Sequence, residues 1–473
     1  MSYNVRILST YPPRTCGVGI FARNLATALE HFTGEVAAVR VAAIRRTEEF
    51  AEIYASPVDL TMDQYDADSW DRAASAILTR AGESRHPTVI ILQHEYGLDR
   101  DSNAEDGRGR NFVNIASRLA KEGLLVLAYL HTVLDEPDEY QQSTIQQLAQ
   151  HCDGLIVTTE RAVDILSSDI YGVDRAKTRH IDHGVRIQDP SQHDRVALKR
   201  EYGMQDKLLI TTLGLRSPDK GIQFSIPAYA RFLAESCTQE QRERLLYLIA
   251  GQCHPEFVRS DNGEHYTKYQ ELMATTLQDC GLRWCEVNRL ADVDPREYDV
   301  VFLDTFLEEN TLLKLYAATN IMVLPYLNLQ QMSSGILADP VGSGRVAIAT
   351  KFSYALELLN PTGSREKGIS VGPRARGILV DPDEPSIEQI AQALDYLVFN
   401  TAERFEMETR AHERGVEMKW DNVAWKLIQY IDFVQGRRER IMDTTIQFSR
   451  SRESIFARKN AELLTRPARG VRQ

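Results

Sequence analysis

Short, continuous apolar runs recur along the chain with helical patterns between them, and this alternation constrains the fold more than any other feature. In the first half the runs are VRIL (5–8), VAAVRVAAI (36–44), TVIILQHE (88–95), LLVLAYLHT (124–132) and GLIVTT (154–159). TRHIDHGV (178–185) reads as the last of this set. A short apolar run without polar alternation suits a strand buried on both faces, as in a parallel sheet. The stretches between are amphipathic. IFARNLATALEHF places Phe21, Leu25, Ala28, Leu29 and Phe32 on one helical face. Parallel strands need crossover connections, so the pattern reads as a βαβ series.

The polar, proline-bearing stretch RIQDPSQHD (186–194) reads as a linker. The alternation then restarts with LLITTLGL (208–215), LLYLIAGQ (245–252), VVFLDTF (300–306), NIMVLPY (320–326), RVAIAT (345–350) and GILV (377–380). A chain of 473 residues also exceeds what one ordinary core absorbs. The expected fold class is α/β: two doubly wound, Rossmann-like parallel-sheet domains, residues 1–190 and 191–415, facing an interdomain cleft. Ligands of such sheets bind outside the carboxyl ends of the strands. Residues 416–436 are expected to form a C-terminal helix and 437–473 a basic tail. The Arg-rich tail reads either as a solvated helix with a frayed end or as an arm for a partner or an anionic lipid surface.

Net charge is −12, which excludes a basic nucleic-acid footprint over the whole protein. The six cysteines are scattered, with no C-x-x-C, so reduced thiols are the simplest reading. The start MSYNVRILST lacks the apolar core of a signal peptide. No run approaches the ~20 apolar residues of a spanning helix. A soluble, cytoplasmic protein, at most peripheral to a membrane, is the expectation.

Four stretches carry chemistry. STYPPRTCGVGIFARNL follows the first strand, and Gly17 and Gly19 sit where a helix begins. Such a loop lets backbone N–H groups approach an anion, although a simple tight turn has the same composition. It is not a dinucleotide fingerprint, because the third glycine is absent. GLRSPDKGIQF (214–224) puts Arg216 and Lys220 after a strand, placed for a diphosphate or for a solvated turn. QHEYG, HTVL and DHGV bring Glu95, His131 and His183 to one edge of the first sheet. A neutral His131 could donate a hydrogen bond to a sugar hydroxyl. SSGILADPVGSG (333–344) reads as a helix capped by Ser333 or Ser334, with Gly335 open to a phosphate and Asp339 about a turn later. The favoured expectation is a helix that starts near Ser334 and is bent or tightened at Pro340; the alternative is a helix that starts only at Pro340 with Asp339 as its cap.

These motifs, in this order, resemble a retaining two-domain glycosyltransferase of the GT-B type, close to family GT4 (glycosyl transferase group 1). GVG, QHEYG, HTVL, GLRSPDKG, LLKLYAATNIMVLPY, SSGILADPVGSGRVAIAT, ALELL and GILVDPDEP carry the likeness up to about residue 435. WDNVAWKLIQYI (420–431) resembles the helix that crosses back onto the N-terminal domain in that family. The resemblance implies an acceptor-side first domain and a second domain that binds a nucleotide-diphosphate sugar. It implies catalytic positions at His131, Lys220 and Arg216. The implied donor-binding set is Gly17, Gly19, Gln331, Ser334, Gly335, Asp339 and Glu357, with Glu95 and His183 on the acceptor side.

The resemblance also implies no metal and no cofactor. The acceptor attacks on the face from which the nucleoside diphosphate leaves, and the leaving phosphate takes its proton. The chain departs from the family pattern at Gln331 and Asp339, where two glutamates eight apart are usual. It departs again at Leu215, where the usual arginine falls one residue before Arg216, and at Asn320, where an acid is common. The implied partners are a nucleotide-sugar donor and a sugar or glycan acceptor. Two other classes fit the same pattern: a non-catalytic glycosyltransferase-like protein that binds a sugar or a partner, and a GT-B epimerase or phosphorylase.

Overall fold

The computed structural model describes residues 2–49, 53–101, 104, 106–187 and 194–440. The first sheet contains β1 (Tyr3–Ser9), β2 (Val36–Arg45), β3 (Val58–Asp63), β4 (Thr88–His94), β5 (Leu125–Leu130), β6 (Gly154–Val157) and β7 (Thr178–His180). They lie in the order β3-β2-β1-β4-β5-β6-β7, every pair parallel. The second contains β8 (Leu208–Leu213), β9 (Leu245–Ala250), β10 (Trp284–Val287), β11 (Val300–Leu303), β12 (Ile321–Leu324), β13 (Val346–Thr350) and β14 (Gly377–Val380). Its order is β10-β11-β9-β8-β12-β13-β14, again all parallel.

Burial explains the apolar runs. Every residue of β5 and of β9 is buried, because each sheet carries an apolar cluster on both faces. Two strands, β3 and β10, correspond to none of the apolar runs. Both are edge strands. VDLTMD is half-exposed over most of its length, and WCEV alternates exposed and half-buried residues. An edge strand needs no continuous apolar run, so its sequence carries a weaker signal.

The helix Thr401–Glu417 runs through the expected domain end at 415. A last helix occupies 420–440, so it starts later than 416 and continues past 436. Its residues Trp420, Val423, Leu427 and Ile431 pack with Tyr3, Ile7 and Phe21 of the first domain. Residues 441–473 of the expected tail and 188–193 of the expected linker lie outside the described residues. Among the described residues no helix is long and apolar enough to cross a membrane.

The two chain crossings between the domains pack on each other. The Val185 N–H donates to the Met418 carbonyl at 2.9 Å. Gly184 lies beneath the Trp420 ring, where a Cβ would fall 2.2 Å from a ring carbon. The buried Asp182 carboxylate is shared by Arg414 and by Lys426, the latter at 2.8 Å.

Candidate functional site

Because the strands are parallel, β1, β4 and β5 deliver their carboxyl ends to one edge of the first sheet. The helix Gly17–Glu30 begins there, and its N-cap residue Cys16 makes no side-chain capping bond. The two glycines differ in what surrounds them. A Cβ on Gly19 would press on the Tyr11 nitrogen at 3.2 Å, whereas Gly17 has nothing within 4 Å. Gly19 is therefore a packing glycine, and Gly17 is the open one.

Phe21, on the first turns of this helix, joins the strand ends. Its ring centre lies 4.9 Å from that of His131 and 5.1 Å from that of His183. His131 is buried, with Nε2 at 2.5 Å from Gln93 Oε1. Burial pulls its pKa down to about 3, and His183 and His94 add to the effect, so it is a neutral imidazole. The Gln93 Nε2 beside it is buried without a partner among the described residues. His183 Nδ1 faces the Gly184 carbonyl oxygen at 2.8 Å. A carbonyl only accepts, so Nδ1 carries the proton and Nε2 is the free acceptor. Burial lowers the His183 pKa to about 4. Glu95 accepts from Thr132 Oγ1 at 2.7 Å, and burial raises its pKa.

The opposite wall comes from the second domain. The helix Gly335–Gly342 starts at Ser334, whose side chain accepts from the Leu337 N–H at 3.3 Å. Pro340 lies inside the helix and does not start it. Past the proline, the Ser343 N–H reaches the Asp339 carbonyl at 2.9 Å and the Arg345 N–H reaches the Pro340 carbonyl at 2.9 Å. A Cβ placed on Gly335 would be 3.5 Å from His183 Cε1 and Nε2. The first turn of this helix thus abuts the histidine edge of the first domain.

Lys220 stands at the carboxyl edge of the second sheet. Its Nζ lies 4.0 Å from the ring centre of Tyr326 and 3.6 Å from Asp219 Oδ2. The loop is fixed by Gly221, where φ is 67° and a Cβ would lie 1.9 Å from the Pro325 carbonyl oxygen. Gly214 in the same loop meets Ile336 of the Ser334-capped helix.

Other residues sit differently from expectation. Arg216 is 7% exposed and already engaged: Nε donates to the Gly251 carbonyl at 2.7 Å, and Nη2 meets Asp304 at 2.5 Å and Glu286 at 3.1 Å. Two carboxylates neutralise it, so it is not the free cation that its place in the loop suggested. Glu357 reaches across to the first domain, where it accepts from the Glu160 and Arg161 N–H groups at 2.9 and 3.4 Å. It caps the helix Glu160–Ser167. Gln331 donates to the Ser333 carbonyl at 2.9 Å. Asn320 is structural, its Oδ1 accepting from the Leu209 N–H at 2.9 Å and from Lys199.

Asp339 is tied into an ion chain that no motif announced. Its Oδ1 accepts from the Arg186 N–H at 3.3 Å, and Oδ2 lies 3.5 Å from the Arg186 guanidinium. Arg186 also pairs with Glu309, which pairs with Arg23 of the first domain. Burial raises the Asp339 pKa while Arg186 opposes the rise. Arg186 falls in the segment read as a linker, and Arg23 and Glu309 are ordinary helix charges in the sequence. Only the folded juxtaposition identifies them.

No family model and no curated protein matches the chain. Solved structures do match. Anabaena Alr3699/HepE in complex with UDP superimposes with a TM-score of 0.63 at 14% identity, over 91% of this chain and 100% of that one. An alpha,alpha-trehalose-phosphate synthase (UDP-forming) from Burkholderia xenovorans in complex with glucose-6-phosphate gives 0.59 at 14%, over 91% and 100%. The Candida albicans trehalose-6-phosphate phosphatase N-terminal domain gives 0.63 at 12%, over 92% and 97%. At such identities the likeness establishes the architecture. The fold is GT-B: two parallel α/β sheets with a cleft between them.

Proposed function

We propose that the chain is a glycosyltransferase that moves a sugar from a nucleoside-diphosphate sugar to an acceptor hydroxyl, with retention and without a metal ion. The observation that carries this reading is the approach of His183 to Gly335, at 3.5 Å for an added Cβ. It supports reading the histidine edge of one domain and a helix N-terminus of the other as two walls of one site. The free N–H groups of that helix, with Lys220 at the carboxyl edge of the same domain's sheet, suit a diphosphate and the charge that develops as it leaves. Asp339 is the candidate for the ribose diol, and taking that role requires Arg186 to release it. His131 and His183 orient the acceptor as neutral imidazoles. The sugar–phosphate bond breaks, the acceptor oxygen bonds to the sugar carbon on the same face, and the acceptor proton passes to the departing phosphate. Placement in family GT4 rests on the order of motifs, and UDP is the first donor base to test because HepE is described with UDP bound.

The test is calorimetry with UDP and GDP, followed by a screen of nucleotide sugars for turnover. One of the two nucleotides should bind, and Lys220→Ala should lower turnover by about 10²–10³-fold, as loss of a charge-stabilising donor does. Binding of neither nucleotide overturns the proposal. The commitment of Arg216 and the pairing of Asp339 favour a second reading, a sugar- or partner-binding protein without catalysis. It predicts no turnover of any nucleotide sugar, whether or not a nucleotide binds.

A further inference from the structure

Two guanidinium groups, one from each domain, share a single carboxylate oxygen where the two domains meet. Arg161 Nη2 of the first domain lies 2.8 Å from Asp135 Oδ2, and Arg365 Nη1 of the second lies 3.8 Å from the same atom. Among the described residues Asp135 is the one carboxylate within ion-pair distance of either. Glu357, close by, is spent on the backbone N–H groups of Glu160 and Arg161. The pair is under-neutralised: burial lowers the Arg365 pKa, Arg161 lowers it further, and Asp135 only opposes this. Arg161 Nε is buried without a partner, yet both side chains remain 40% exposed.

The position matters as much as the charge. Asp135 follows His131 by four residues on the loop that leaves β5. Arg365 Nη2 donates to Ser353 Oγ at 2.7 Å. The Ser353 and Tyr354 N–H groups hold the Leu329 and Gln331 carbonyls at 3.0 Å each. The arginine pair thus stands between the strand end that carries His131 and the loop that carries Gln331. A ligand group there would bridge the two domains.

We infer that the acceptor carries an anionic group, a phosphate or a carboxylate, held between Arg161 and Arg365 with Asp135 as its placeholder; this rests on the glycosyltransferase reading. A planar guanidinium fork suits either anion. The test is calorimetry on the full chain with inorganic phosphate, glucose 6-phosphate, glucuronate and glucose, alongside UDP and GDP. Wild type should bind the phosphate probes or glucuronate but not glucose, and which of them binds decides between phosphate and carboxylate. Arg161→Gln and Arg365→Gln should each weaken that binding about tenfold or more, as loss of a charge-assisted bond does. Asp135→Asn should tighten it, because a competing carboxylate is gone.

The sign of the Asp135 effect separates a ligand site from a mere bridge. In a bridge, Asp135→Asn and Arg365→Gln lower the melting temperature alike and neither moves anion affinity; that result overturns the inference. Nucleotide binding without anion binding overturns it too and leaves the proposed function standing. Anion binding lost in the arginine variants, with neither UDP nor GDP bound, overturns the acceptor assignment together with that function.

Discussion

At Gly221 the backbone sits at φ 67° and a Cβ would fall 1.9 Å from the Pro325 carbonyl oxygen. Both the conformation and the space exclude any other residue. Gly221→Ala should cost about 2 kcal/mol or more, read as a shifted urea midpoint, since left-handed backbone and a clash add. It should also weaken donor binding by displacing Lys220. Gly17 predicts the reverse. With nothing within 4 Å, Gly17→Ala should leave the urea midpoint unchanged. If the Gly17 backbone approaches the diphosphate, UDP or GDP affinity falls in that variant; unchanged affinity removes Gly17 from the donor set. The contrast shows what a residue string conceals. Gly17 and Gly19 look equivalent in CGVG, and Arg216 and Lys220 look equivalent in LRSPDKG. Each pair is separated only by what the fold brings against it.

Among the elements, the helix Glu160–Ser167 is unusual in taking a cap from the other domain. Its own Thr159 side chain accepts from the Ala162 N–H at 3.2 Å, while Glu357 takes the first two N–H groups. A carboxylate at a helix N-terminus contributes about 0.5–2 kcal/mol. Glu357→Ala should therefore lower stability by about 1 kcal/mol while UDP or GDP affinity stays constant. A fall in nucleotide affinity with unchanged stability would instead support the donor-binding role implied by the family resemblance. The helix Gly335–Gly342 was partly legible: Ser334 and Gly335 mark its start by capping preference and small size. The preference for a start near Ser334 that runs on through Pro340 holds, although Asp-Pro alone is equally a helix start. The central strands could be read from their apolar runs. The edge strands β3 and β10 could not, since one face of each meets solvent.

Across the molecule, buried neutral histidines impose a pH dependence on stability. His94 is fully buried, both its ring nitrogens lack partners among the described residues, and its pKa is drawn down to about 3. The ordinary value is 6.5, so between about 6.5 and 3 the unfolded chain binds the proton and the folded chain does not. The contribution of His94 is therefore flat above pH 6.5 and turns unfavourable as pH falls through that window. Its slope is about 1.4 kcal/mol per pH unit. Other groups run the opposite way: Asp339, Glu95 and His180 all have raised values. The clean measurement is thus a difference. Urea stability of His94→Leu minus wild type should grow by about 1.4 kcal/mol per unit as pH is lowered from 6.5 towards 4. A difference independent of pH would show that folded His94 takes up its proton as readily as the unfolded chain does.

The sequence by itself determined the two sheets, their central strands, the helix start at Ser334 and the strand-end placing of His131, His183 and Lys220. These follow from local rules: burial on both faces writes an apolar run, and a capping side chain acts within one turn. Only the tertiary structure decided which charges are free. Arg216 is spent on Asp304 and Glu286, Glu357 caps a helix in the other domain, and Asp339 is held by Arg186. Ion pairs join residues more than two hundred positions apart, and several form only where the two domains meet. The energy of a charge is set by the partners that approach it in space, and no local pattern encodes them.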